Sequence, residues 1–137
     1  MNDINLRTVS DADAQFLTFI MSIDSVLNAL NEQPTKLGDW ADAIKEWSKD
    51  SDEEDYIIRD GETPIGWIGI NGLESADKVA YLKLVAILPN CQNKEIGYYT
   101  IRQVVEMLRQ RNYLKMALYT DEENFKAKAC YSKCGFE

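Results

Sequence analysis

Three features of the sequence predict a single α/β domain built on a mixed sheet. The chain has 137 residues, which suits one domain. Two apolar runs separated by the Asp60-Gly61 turn read as a β-hairpin. Segments with apolar residues at i, i+3, i+4 and i+7 stand before and after that hairpin and read as helices.

Taken in order, residues 4–9 (INLRTV) form a short predicted strand. Ser10 is the expected N-cap of the first helix, with Asp11 and Asp13 well placed in its first turn, where negative charge meets the free N–H groups. Phe16, Phe19, Ile20 and Ile23 give that helix its predicted apolar side. A second helix is expected from Thr35 to Leu37 onward, because Leu37, Trp40, Ala41, Ile44 and Trp47 keep helical spacing. The acidic run at 50–55 (DSDEED) reads as a solvated loop. Strands follow at 56–59 and 65–70, joined by DGETP, whose glycine tolerates positive φ. A third runs through 79–88 and stops at Pro89. Ile101, Val104, Val105 and Leu108 mark one face of a long helix over 96–111, with Arg102, Glu106 and Arg109 outward. Residues 114–119 alternate as a strand and 124–134 read as a closing helix. No internal repeat or linker interrupts this β-α-α-β-β-β-α-β-α order.

Composition narrows the chemistry. Hydrophobic residues make up 45% and charged residues 28%, a globular balance. Histidine is absent, which removes Ser-His-Asp and Cys-His nucleophile systems and any His-ligated zinc or haem. Cys91, Cys130 and Cys134 are an odd set without paired CxxC knuckles, so a reduced, cytoplasmic protein without structural zinc is expected, with Cys130 and Cys134 as packing residues. No apolar run reaches the roughly 18 residues of a membrane span, and the first residues lack a secretory pattern. The net charge of −8 argues against nucleic acid as a partner. Its distribution is uneven: residues 1–78 carry a net −11 and residues 79–137 a net +3. The two halves are expected to face ligands of opposite sign; the alternative is that the acidic half is merely solvated.

The most informative stretch is 84–101, LVAILPNCQNKEIGYYTI. A strand, a tight loop and a helix start bring several backbone N–H groups to one point, where the helix dipole and unpaired donors attract phosphate. Gly97 allows close approach of the backbone and Lys94 adds a positive charge.

On these residues the sequence resembles the GNAT superfamily of N-acetyltransferases, which move acetyl from acetyl-CoA to an amine. The family's pyrophosphate loop is Q/R-x-x-G-x-G/A, and Gln92, Asn93, Lys94, Glu95, Ile96 and Gly97 stand in its place. Val85, Ala86, Ile87, Leu88 and Pro89 look like its splayed strand. Asn124, Ala127, Tyr131, Lys133, Gly135 and Phe136 match the N-x-x-A-x-x-x-Y-x-K-x-G-F pattern of its last helix, and LRTVSDADAQFL is similar to its opening strand and helix.

The resemblance implies acetyl-CoA as cosubstrate and no metal. The backbone of Val85, Ala86 and Ile87 would bind the pantetheine arm, with the Ile87 N–H polarising the thioester carbonyl. Amides from Gln92 and Asn93 through Lys94, Glu95, Ile96 and Gly97 to Tyr98 would cradle the pyrophosphate. Asn124 would hydrogen-bond the pantetheine, and Tyr131 would protonate the leaving thiolate. A phenol suits that role, its reference pKa of about 10 exceeding the roughly 8.5 of a thiol. Glu74 is the first candidate for the base that deprotonates the amine, and Asp121 the second.

Three departures from the pattern stand out. Glu95 replaces the first loop glycine. Tyr119 sits where members that acetylate protein N-termini carry a Glu. The sequence closes at Glu137, before the family's last two strands, so the expected fold is a GNAT-like mixed, mostly antiparallel sheet flanked by helices and lacking those strands. The strand at 114–119 would then present an open edge, and a homodimer is expected. The predicted function is direct acetyl transfer to a primary amine, a cationic one given the acidic half. The alternative is a catalytically inert acyl-CoA-binding or regulatory module. A doubly wound nucleotide-binding domain fits less well, because the glycine-poor loop follows a hairpin series instead of the first strand.

Overall fold

The computed structural model describes residues 3–23, 37–74, 76–91 and 95–118. Within them a five-stranded sheet runs in sequence order: β1 (Ile4–Thr8), β2 (Glu54–Asp60), β3 (Thr63–Asn71), β4 (Val79–Ile87) and β5 (Lys115–Leu118). The first four strands are antiparallel neighbours, and β5 lies parallel to β4. This is the predicted mixed, mostly antiparallel sheet. The closing helix expected at 124–134 lies outside the described residues.

Helices α1 (Ala14–Ile20) and α2 (Leu37–Lys49) cover one face, and α3 (Ile96–Gln110) covers the other. The alternation of each strand sorts side chains between two cores. Ile58, Ile68, Ile70 and Leu82 meet Ile101, Val104 and Leu108 of α3. Ile57, Trp67 and Ala86 meet Leu17 and Ile20 of α1 with Trp40 and Ile44 of α2.

Two expectations are corrected. The first helix is preceded by a single 3-10 turn, Asp11–Asp13, and α1 closes at Ile20, so Ile23 lies beyond it. Its buried stripe is Ala14, Leu17, Ile20 and Met21, while Phe19 is 57% exposed. The apolar residues of this segment outnumber the positions facing the sheet, and packing selected a stripe offset from the predicted one. Ser10 does begin the turn, with Asp13 accepting from its backbone N–H at 2.7 Å. Burial opposes ionisation of Asp13, but Arg7, bonded to both of its oxygens at 2.6 and 2.9 Å, outweighs that and holds its pKa below the usual carboxylate range.

The acidic run is also not a plain solvated loop. Glu54 and Asp55 open β2, and Asp55 is only 4% exposed. Residues 53, 55 and 57 alternate onto one face, so Asp55 enters the same core as Ile57.

Candidate active site

β4 and α3 meet at the point the sequence singled out. The ladder with β5 spans Val79 to Leu82, the first part of β4, while Leu84, Val85, Ala86 and Ile87 pair with β3 on the other side. Gly66 lets the strands approach there, since a Cβ at that position would strike the Ala86 carbonyl. Val85 and Ile87 lean against the α3 core and Ala86 is buried in the opposite one, so all three fix the strand by their side chains. After the 3-10 turn Pro89–Cys91 the chain returns as α3.

Glu95 is the N-cap of α3 and adopts φ 62°, ψ 13°. That left-handed conformation crowds a Cβ and belongs to glycine, which is what the family's loop carries at this place. The Glu95 side chain is exposed and makes no cap hydrogen bond, so the departure from glycine changes backbone strain without filling the helix end. Ile96 anchors the first turn in the core, and Gly97 follows at a position where its N–H lacks an intrahelical acceptor. Gly97 and Tyr98 are half-buried. A helix terminus of this kind suits an anionic pyrophosphate.

Ile87, Glu95, Ile96, Gly97 and Tyr98 are therefore brought to one end of the sheet. Glu74 is not brought there. It is exposed in the turn between β3 and β4, at the end of β4 remote from the α3 N-terminus, and its N–H donates to Asp52 Oδ1 at 2.9 Å. Gln92, Asn93, Lys94, Tyr119, Asp121, Asn124 and Tyr131 lie outside the described residues.

The sequence reading missed a second polar cluster, on the α1/α2 face. Asp55 Oδ1 accepts from Trp67 Nε1 at 3.0 Å. Gly69, opposite Asp55 across the ladder, leaves room for that carboxyl; a Cβ there would lie 2.5 Å from Oδ1. Burial lifts the Asp55 pKa to about 8, and the hydrogen bond and like charge of Glu53 act in the same direction, while Lys83 and Trp67 oppose them. Lys83 Nζ, from β4, contacts Glu53 Oε2 at 2.8 Å and lies 4.7 Å above the Trp47 ring. Trp47 and Trp40 pack on Trp67 with ring centroids 5.3 and 5.2 Å away. The alternation of 53, 55 and 57 was the signal available in the sequence.

The sequence model of the acetyltransferase (GNAT) family matches residues 23–136. The chain belongs to the GNAT acetyltransferase family. Membership makes it an N-acetyltransferase by family. Solved structures agree on the GNAT fold. A spermidine N-acetyltransferase from Vibrio cholerae, solved in complex with CoA and spermine, superimposes with TM-score 0.86 at 20% identity, covering 96% of this chain and 79% of that one. An acetyltransferase from Thermus thermophilus gives TM-score 0.85 at 19% identity over 100% and 90%. A transcriptional regulator from Bacillus halodurans gives 0.80 at 21% over 98% and 93%. At these identities the likeness establishes the fold. A sequence search of curated proteins finds no match. Among the described residues no helix is long and apolar enough to cross a membrane.

Proposed function

We propose that this chain transfers acetyl from acetyl-CoA directly to a cationic primary amine in the cytoplasm. The observation that carries the reading is the junction of β4 with the N-terminus of the 15-residue α3, in a chain that matches the GNAT family. The pyrophosphate fits that end: the first-turn amides supply donors and the dipole supplies the sign, with Gln92, Asn93 and Lys94 completing the loop. Acetyl-CoA supplies a thioester whose acyl carbon the neutral amine attacks. The backbone of Val85, Ala86 and Ile87 and the Asn124 side chain hold the pantetheine arm, and the Tyr131 hydroxyl gives its proton to the departing sulfur. Glu74, in the turn at the far end of β4, stands too far away to be the base, and an ordered water chain is proposed to take the amine's proton.

The acceptor's charge is inferred from the acidic first half, and neighbouring structures that bind or acetylate spermine and spermidine support it. Self-association along the β5 edge is part of the same reading, tested by sedimentation at tens of micromolar.

Turnover of acetyl-CoA with a panel of diamines, polyamines and amino acids tests the function. Tyr131→Phe is expected to lower kcat about 10²–10⁴-fold with CoA affinity nearly unchanged. CoA binding without thiol release for any amine would instead identify an inert acyl-CoA-binding module.

A further inference from the structure

The three arginines on and just after α3 differ in what holds them. Arg109 pairs with Glu106 at 2.8 Å, and Arg111 is held by Glu54 through two bonds of 2.9 Å. Arg102, in the second turn, has no carboxylate partner among the described residues. Glu106, four residues on, is within reach along the helix, but Arg109 takes it. Arg102 is instead laid against Tyr98, its guanidinium carbon 5.7 Å from the ring centroid and Nη1 3.4 Å from the hydroxyl. Tyr98 is half-buried and meets Tyr99 edge-on, with ring centroids 6.0 Å apart. The aromatic contact gives an exposed side chain a set direction without neutralising its charge.

At about 100° per residue, Ile96, Thr100, Val104 and Leu108 form the stripe of α3 against the sheet. The helix touches both β1 and β5, and Gln103, donating to the Ile4 carbonyl at 3.1 Å, marks the flank over β1. Tyr98 stands on the other flank, toward β5, with Arg102 one turn further along, between that flank and solvent. On the sheet, Val85, Ala86 and Ile87 pair with β3 along one edge, which leaves their β5 edge for the pantetheine arm. The cosubstrate would therefore reach the α3 N-terminus on the side where Tyr98 and Arg102 stand. In CoA the ribose that carries the pyrophosphate on its 5′ oxygen carries a further phosphate on its 3′ oxygen. Arg102 lies five residues past Gly97, roughly 7–8 Å along the axis at about 1.5 Å per residue, a distance that one ribose and an extended arginine span.

We propose that Arg102, set by Tyr98, binds the 3′-phosphate of the cosubstrate and makes this chain select CoA over analogues that end in a plain adenosine diphosphate. The inference rests on the acetyl-CoA reading and adds to it a specificity residue outside the pyrophosphate loop. A guanidinium suits the task, since its planar fork meets two phosphate oxygens at once. The backbone amides of the helix start serve the pyrophosphate, which CoA and its 3′-dephospho form share, so they cannot tell the two apart.

Calorimetry of the full chain with CoA and with 3′-dephospho-CoA tests this. The unaltered chain is expected to bind CoA about tenfold tighter at low salt, a gap that narrows as the screening length shrinks to about 10 Å at 0.1 M. Arg102→Gln should weaken CoA binding about tenfold and leave 3′-dephospho-CoA unchanged, so that the two ligands become equal. Arg102→Lys keeps the charge without the fork and should fall between. Arg109→Gln, further along the same helix, should preserve the gap, which excludes a general effect of net charge. The proposal is overturned if the unaltered chain binds the two ligands equally, or if the gap survives Arg102→Gln. CoA binding without the gap leaves the cradle standing; absence of binding by either ligand at sub-millimolar concentration removes the cradle and this proposal with it.

Discussion

On the α3 side of the sheet, Ile68, Ile70 and Leu82 pack against Ile101, Val104 and Leu108, and the contact is almost wholly aliphatic. On the α1/α2 side, three tryptophans surround a buried aspartate, a glutamate and a lysine. The aliphatic face derives its stability from removing apolar surface from water, a term nearly independent of pH. The other face also buries large rings, but it holds one carboxyl, Asp55, whose pKa burial lifts to about 8. One sheet therefore carries a face suited to scaffolding and a face able to respond to its surroundings.

The largest expected effect breaks or supports that contrast. Trp67→Ala removes a side chain 1% exposed together with the donor to Asp55 Oδ1. A loss of about 3–5 kcal/mol is expected for the ring, against about 2–5 kcal/mol for Ile68→Ala on the same strand. Denaturant midpoints at several pH values separate the two, because only the Trp67 loss should vary with pH. Equal pH profiles would erase the distinction between the faces.

A second substitution sharpens it. The folded pKa of Asp55, about 8, lies above its ordinary value of 3.8. The folded chain therefore holds a proton that the unfolded chain releases, so stability is intact below about pH 4 and declines as pH rises toward 8, by at most about 1.4 kcal/mol per unit. Asn cannot ionise and preserves the acceptor for Trp67. Asp55→Asn is expected to raise Tm at pH 8 and leave it unchanged at pH 4, a gain on the order of a few kcal/mol at the higher pH.

The smallest effect belongs to the α3 end. Glu95→Gly should relieve the cost of φ 62° and stabilise the fold by about 1 kcal/mol in denaturant unfolding. Unchanged CoA affinity is expected, since the Glu95 side chain is exposed; tighter binding would place its carboxylate against the phosphates.

The hairpin, β4 and α3 were legible in the sequence because their signals are local: a two-residue turn, alternation, and an apolar stripe of period 3.6. The N-terminus of α3 was equally legible, both from the strand-loop-helix pattern and from the family's loop. The orientation of α1 was not, since Phe16, Leu17, Phe19 and Ile20 offer more than one apolar stripe and contacts distant in sequence chose between them. The buried Asp55 was hidden inside a run of acids whose average predicts solvent. Its burial depends on Gly69 and Trp67, which sit across the ladder and have no sequence-local signature. The family pattern proposed Asn124 and Tyr131, which lie outside the described residues.

Asp52 has a different kind of consequence. Its carboxylate accepts from the N–H groups of Gly72 at 3.1 Å and Glu74 at 2.9 Å, and its carbonyl accepts from Leu73 at 3.1 Å. Surface connections are ordinarily independent modules that tolerate insertion and exchange. These two are interlocked: the segment before β2 serves as the template on which the turn after β3 is moulded. Lengthening either by one residue misaligns the three hydrogen bonds that join them, so grafting the acidic segment into a different scaffold requires transplanting the 72–74 turn with it.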